Sequence, residues 1–123
     1  MVTIELTKKD LIVHVRRSPA THALGSTLKV DLSHVSGARS HPQEAYFDGS
    51  IVDAHGVARY VPGEFVVGMV LLDDGQSFLD VRDPHRAIAI DLVDEPLRHI
   101  VVEVGDESPE AVVRRIQDAV LAP

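Results

Sequence analysis

Seven histidines give this 123-residue chain its widest chemical reach: His14, His22, His34, His41, His55, His85 and His99. Neutral imidazole is a common metal ligand, but a metal centre needs three or four donors converging at about 2 Å. No HExxH or comparable spacing occurs; the best local pairing is Asp53 with His55, with Asp48 nearby. Two donors do not make a site, so the sequence implies no metal. Asp80, Arg82, Asp83 and His85 form the densest group of acid and base candidates. Asp80 and Arg82 are two apart, which on a strand places them on one face as a surface ion pair, and Asp83 is already suited to a turn. Without G-x-S-x-G, a glycine-rich phosphate loop or a Walker motif, the chain offers no catalytic residues and no cofactor site. The expectation is that it is not an enzyme.

Composition narrows the partners. Twelve basic against 19 acidic residues give a formal charge of -7, which repels phosphate backbones and anionic bilayers unless cations gather on one face. Nucleic acid is disfavoured, and membrane binding with it. There is no cysteine, so disulfides and thiolate chemistry are excluded. No run reaches the ~18 apolar residues of a membrane span. The opening Met1-Val2-Thr3-Ile4-Glu5 lacks the plan of a signal peptide, and the expected location is cytoplasmic. A chain of this length is about one domain, here spanning residues 1–123, and buries roughly two-thirds of its unfolded surface.

The elements are legible from period-two alternation. Val2, Ile4 and Leu6, then Leu11, Val13 and Val15, predict a hairpin with Lys8-Lys9-Asp10 at its tip. Leu28, Val30 and Leu32 predict a third strand, and a short one from Val35 to His41 is weakened by Gly37. The span from Gln43 to Pro62 has turn signals at Asp48-Gly49 and His55-Gly56 and reads as a long loop, which in a small domain tends to hold function. Glu64 to Leu72 is almost continuously apolar, with Val66, Val70 and Leu72 on one face and Phe65, Val67, Met69 and Leu71 on the other. A strand apolar on both faces needs cover on both. Ser77–Arg82, Ala87–Leu92 and His99–Val104 follow as strands, the first two expected as antiparallel neighbours across the turn Asp83-Pro84-His85-Arg86. Ser108-Pro109 then opens a helix whose stripe is Val112, Val113, Ile116, Ala119 and Val120.

The run Val61-Pro62-Gly63-Glu64-Phe65, Gly68, Phe78-Leu79-Asp80-Val81-Arg82, Ala87 to Leu92, Ile100 to Val104 and Ser108-Pro109-Glu110 resembles the bacterial pleckstrin-homology-like (PH-like) domains of uncharacterised function. Leu28 to Val35, a strand running through a polar turn into the next, resembles them too. The resemblance implies a mainly β fold, a bent, partly open antiparallel barrel of seven to eight strands capped by one C-terminal helix. It also implies a non-enzymatic module. Eukaryotic relatives of this fold bind inositol phosphates through basic residues of the first hairpin, which here are Lys8, Lys9, Arg16 and Arg17.

Two functions follow as expectations. The first is a protein-binding or scaffolding domain that associates with a protein partner or with itself as a homo-oligomer, through Tyr46, Phe47, Ile51, Val52, Tyr60, Val66 and Val70. The alternative is a small-ligand or lipid-headgroup module using Lys8, Lys9, Arg16 and Arg17. Fold alone does not choose between them.

Overall fold

The computed structural model describes residues 2–14, 27–42, 59–61, 65–72, 75–105 and 107–121. Among them are nine strands and one α-helix: β1 Thr3–Leu6, β2 Asp10–His14, β3 Thr27–Asp31, β4 Val35–Ser40, β5 Arg59–Val61, β6 Phe65–Leu72, β7 Gly75–Val81, β8 Ala87–Leu92, β9 His99–Glu103 and α1 Pro109–Leu121. The protein is mainly β with one C-terminal helix, as its periodicity predicts. The strands form two sheets, in the orders β1-β2-β3 and β4-β8-β9-β7-β6-β5, which are not closed into one barrel among the described residues.

The first sheet is the predicted hairpin plus one strand. Thr7 caps its tip, accepting from the Asp10 N–H at 3.0 Å, and Leu11 and Val13 are fully buried beneath it. β3 then passes into the second sheet through a short 3-10 turn, Leu32–His34. Asp31 caps that turn by accepting from the Ser33 N–H at 2.9 Å and the Ser33 hydroxyl at 2.7 Å. Asp83 does the same for the turn Pro84–Arg86 before β8, accepting from the His85 N–H at 3.0 Å. In both cases a short carboxylate satisfies the first free amide, and the chain enters a strand.

Four expectations are corrected. β7 and β8 are not neighbours: β9 lies between them, antiparallel to β8 and parallel to β7. The Asp83–Arg86 segment is a capped 3-10 turn with negative φ at both ends, whereas a tight hairpin favours positive φ at its centre. The place between is taken by β9, whose Ile100, Val101 and Val102 are fully buried, as befits a strand with neighbours on both sides and cover on both faces. The strands are therefore not all antiparallel, and they number nine among the described residues. Finally, Arg59–Val61, inside the span read as loop, is the strand β5.

The large sheet has two faces. Phe78, Ile88, Ile90, Ile100 and Val102 meet the small sheet and the helix stripe Val112, Val113 and Ile116 in one core. On the opposite face Leu79, Val81, Ala87, Ala89 and Val101 are also buried, outside that core. Helix α1 starts as predicted, with the Ser108 hydroxyl accepting from the Ala111 N–H at 3.2 Å and Pro109 at its first position. No helix among the described residues is long and apolar enough to cross a membrane.

Candidate functional site

On the second face of the large sheet, register places Gly37, Asp91, His99, Ser77 and Val70 in one row across β4, β8, β9, β7 and β6. Its polar centre is built by cross-strand contacts. Asp91 Oδ2 and Oδ1 accept from Arg39 Nε and Nη2 at 2.9 and 2.7 Å, a two-pronged pairing. His99 Nδ1 lies 2.8 Å from the same Oδ1. Burial works to raise the Asp91 carboxyl, but the hydrogen bonds from Arg39 and His99 outweigh it and hold the group below the ordinary carboxylate value.

Ser77, His99 and Asp91 on three adjacent strands have the residue types of a nucleophilic triad. Ser77 is fully buried and its hydroxyl makes no hydrogen bond, so it neither receives a base nor meets a substrate. The row is a packed ion-pair network, and the chemistry it can do is to lock β4, β8 and β9 in register.

Three other histidines also meet carboxylates. His14 stands 2.9 Å from Glu5, His34 2.7 Å from Glu95 and His41 2.7 Å from Glu110. Each contact ties two elements together, and the His41 bond draws the Glu110 carboxyl below its ordinary value. Among the described residues no three His, Asp or Glu side chains gather as a metal site requires. His22, Asp48, Asp53 and His55 lie outside the described residues.

Asp80 is 1% exposed, so its carboxylate is buried and does not lie on a wet strand face as its alternation with Arg82 predicts. The strand carrying it is covered on both sides, which alternation around residues 78–82 does not reveal. Asp83 and His85 serve the turn, and Glu103 fixes it from β9, its Oε1 accepting from the Arg82 and Asp83 N–H groups at 2.7 and 2.8 Å. Sequence reasoning missed the Arg39–Asp91–His99 network altogether. The signal was the polar members of three apolar strands, visible only once those strands are known to be neighbours.

Lys8 and Lys9 are exposed at the first hairpin tip. Acids share that tip: Lys29 Nζ lies 3.6 Å from Asp10, and Lys9 helps to lower the Asp31 carboxyl, which the Ser33 hydrogen bonds depress most. Arg16 and Arg17 lie outside the described residues, as do Tyr46, Phe47, Ile51 and Val52. Tyr60, Val66 and Val70 are placed by their strands: Tyr60 opposite Val66, Val66 opposite Val81, and Val70 opposite Ser77. These three therefore hold positions on the second face.

The outer edge of β6 is the other feature of this region. β5 pairs only with Phe65, Val66 and Val67, while β7 runs beside the strand from Val66 to Leu72. Gly68 to Leu72 thus has a strand on one side only among the described residues. Comparison with protein-family models, curated proteins and solved structures found no match to this chain.

Proposed function

We propose that the chain is a non-enzymatic protein-binding or scaffolding domain of PH-like type, and that its first partner is a second copy of itself. The observation that carries this reading is the one-sided pairing of Gly68 to Leu72 in the most apolar strand of the chain. An apolar edge without charge or proline is a template for another strand, and β6 has neither. Tyr60, Val66 and Val70 hold neighbouring positions on the second face, so an arriving strand would extend both the hydrogen-bond ladder and the apolar layer. The formal charge of -7 is consistent with a protein partner in preference to nucleic acid. A partly open PH-like barrel accommodates the two sheets if the corner at Asp31–Val35 is one of its bends.

Native mass spectrometry of the wild type and of Val70→Lys tests it. The wild type is expected as a homo-oligomer and the lysine variant as a monomer that still unfolds cooperatively. A wild type that stays monomeric as concentration rises overturns self-association. A small molecule retained in the same spectrum would move the reading to a ligand-binding module.

A further inference from the structure

A second strand edge, on the small sheet, has the makings of a peptide site distinct from the β6 edge. Among the described residues β1 pairs with β2 on one side only. Thr7 donates to the Asp10 carbonyl at 2.9 Å. With Glu5 opposite Ile12 and Thr3 opposite His14, the alternation of an antiparallel ladder turns the N–H and C=O of Ile4 and Leu6 away from β2. Val2 keeps the same phase: its N–H points outward and donates to the Glu103 carbonyl at 3.3 Å, and it forms one parallel bridge with Val104. That outer edge is therefore competent for pairing. The pairing stops after one bridge because the chain leaves β9 at Gly105, where the Arg86 guanidinium donates to the carbonyls of Val104, Gly105 and Glu107. A half-open recess of about 170 Å³ is left between β1 and α1. Val2, Ile4, Val104 and Val112 wall it, and Glu107 and Arg115, 2.7 Å apart, stand at its rim.

We propose that this recess and edge form a strand-addition site for an extended segment of a protein partner, carrying one aromatic or branched apolar residue and an acidic residue about four positions away. Alternate outward amides and carbonyls are satisfied by an extended backbone, whereas a helix has its own bonded within itself. The recess has the volume of one side chain, since a cavity of about 150 Å³ holds a benzene ring; Val2, Ile4, Val104 and Val112 give it one apolar wall, and Thr3, Gly105, Glu107 and Arg115 make the rest polar. Beyond Leu6 the edge runs into the exposed Lys8 and Lys9, about four residues from Ile4 at ~3.3 Å each. They are placed to meet a carboxylate at the far end of the segment and to set its direction.

The probe is the blocked heptapeptide Thr-Phe-Thr-Val-Thr-Glu-Glu, added to the isotope-labelled full chain. Binding should slow amide exchange at Ile4 and Leu6 and shift the resonances of Val104 and Val112. A peptide N-methylated at alternate residues, which cannot complete the ladder, should not bind. The Lys8→Glu/Lys9→Glu variant, altered only at exposed positions, should bind about tenfold more weakly. Unchanged exchange at Ile4 and Leu6 in saturating peptide, or equal binding of the N-methylated peptide, overturns strand addition. Undiminished binding by the double variant overturns the acidic partner. None of these results depends on the oligomeric state set at β6.

Discussion

Gln117 on α1 donates from Nε2 to the main-chain carbonyl of Ala38 on β4, at 3.1 Å. β4 is the last strand of the large sheet on that side, so this carbonyl faces away from β8. The helix thus covers an edge as well as the core: Ile116, one residue earlier, is fully buried. Covering an edge with a helix is one way to keep a sheet from adding strands where it should not. Among the described residues β1, β3, β5 and the Gly68 to Leu72 part of β6 each have a strand on one side only.

The helix anchor can be measured. Ile116→Asp puts a charge into the core that also holds Val35, Ala38 and Val104 and should lower unfolding free energy by about 3 kcal/mol or more. Gln117→Ala should cost only about 1 kcal/mol. Urea denaturation of both variants gives the comparison; equal, small losses would mean that the helix does not dock through Ile116.

Gly75 opens β7 with φ +134°, and a Cβ there would stand 2.6 Å from Arg98 Cγ. Gly75→Ala should therefore destabilise by at least about 1 kcal/mol, since alanine at positive φ is strained even after Arg98 moves. A thermal melt unchanged from wild type would contradict this.

The Asp91 carboxyl is lower in the folded protein than its ordinary value of 3.8. A depressed carboxylate contributes stability that is fully present above the unfolded value and lost as pH falls through the folded one. Arg39→Ala removes one of the groups that depress it, so the variant should be less stable than the wild type at neutral pH and should lose less of its stability on acidification. Urea denaturation at neutral pH and at about pH 3 gives both differences, and an equal acid loss in the two proteins would refute it.

Ser77 supplies a test in the opposite direction. Its buried hydroxyl has no hydrogen bond, so Ser77→Ala removes an unsatisfied group and should be neutral or stabilising by up to about 1 kcal/mol. A clear loss of stability would reveal a bond to that hydroxyl.

Local physics was legible in the chain and lateral physics was not. Alternation found Leu11 and Val13, Ile88 and Ile90, and Ile100 and Val102, all fully buried, and Ser108-Pro109 marked the helix start to the residue. Each signal depends on a residue's own neighbours in sequence. That β9 separates β7 from β8 depends on which apolar strands compete for the centre of a sheet, and period two is the same whoever lies alongside. The Arg39–Asp91–His99 network was hidden for the same reason, its members coming from three strands. Asp80 was misplaced because a charge inside an apolar strand looks the same in sequence whether its face is wet or covered.

The position of β9 also sets an order of events. Until His99–Glu103 is in place, the described strands of the large sheet exist as two separate pieces, β4 with β8 and β5 with β6 and β7, with no strand pairing between them. The strand that joins them is the last strand among the described residues. A protein emerging from the ribosome, amino end first, holds both apolar pieces unjoined until β9 has been made, a period in which β6 is most open to wrong partners. Chains ending at Arg98 should therefore show no cooperative unfolding transition, and a cooperative melt from that fragment would mean that the two pieces can assemble without their wedge.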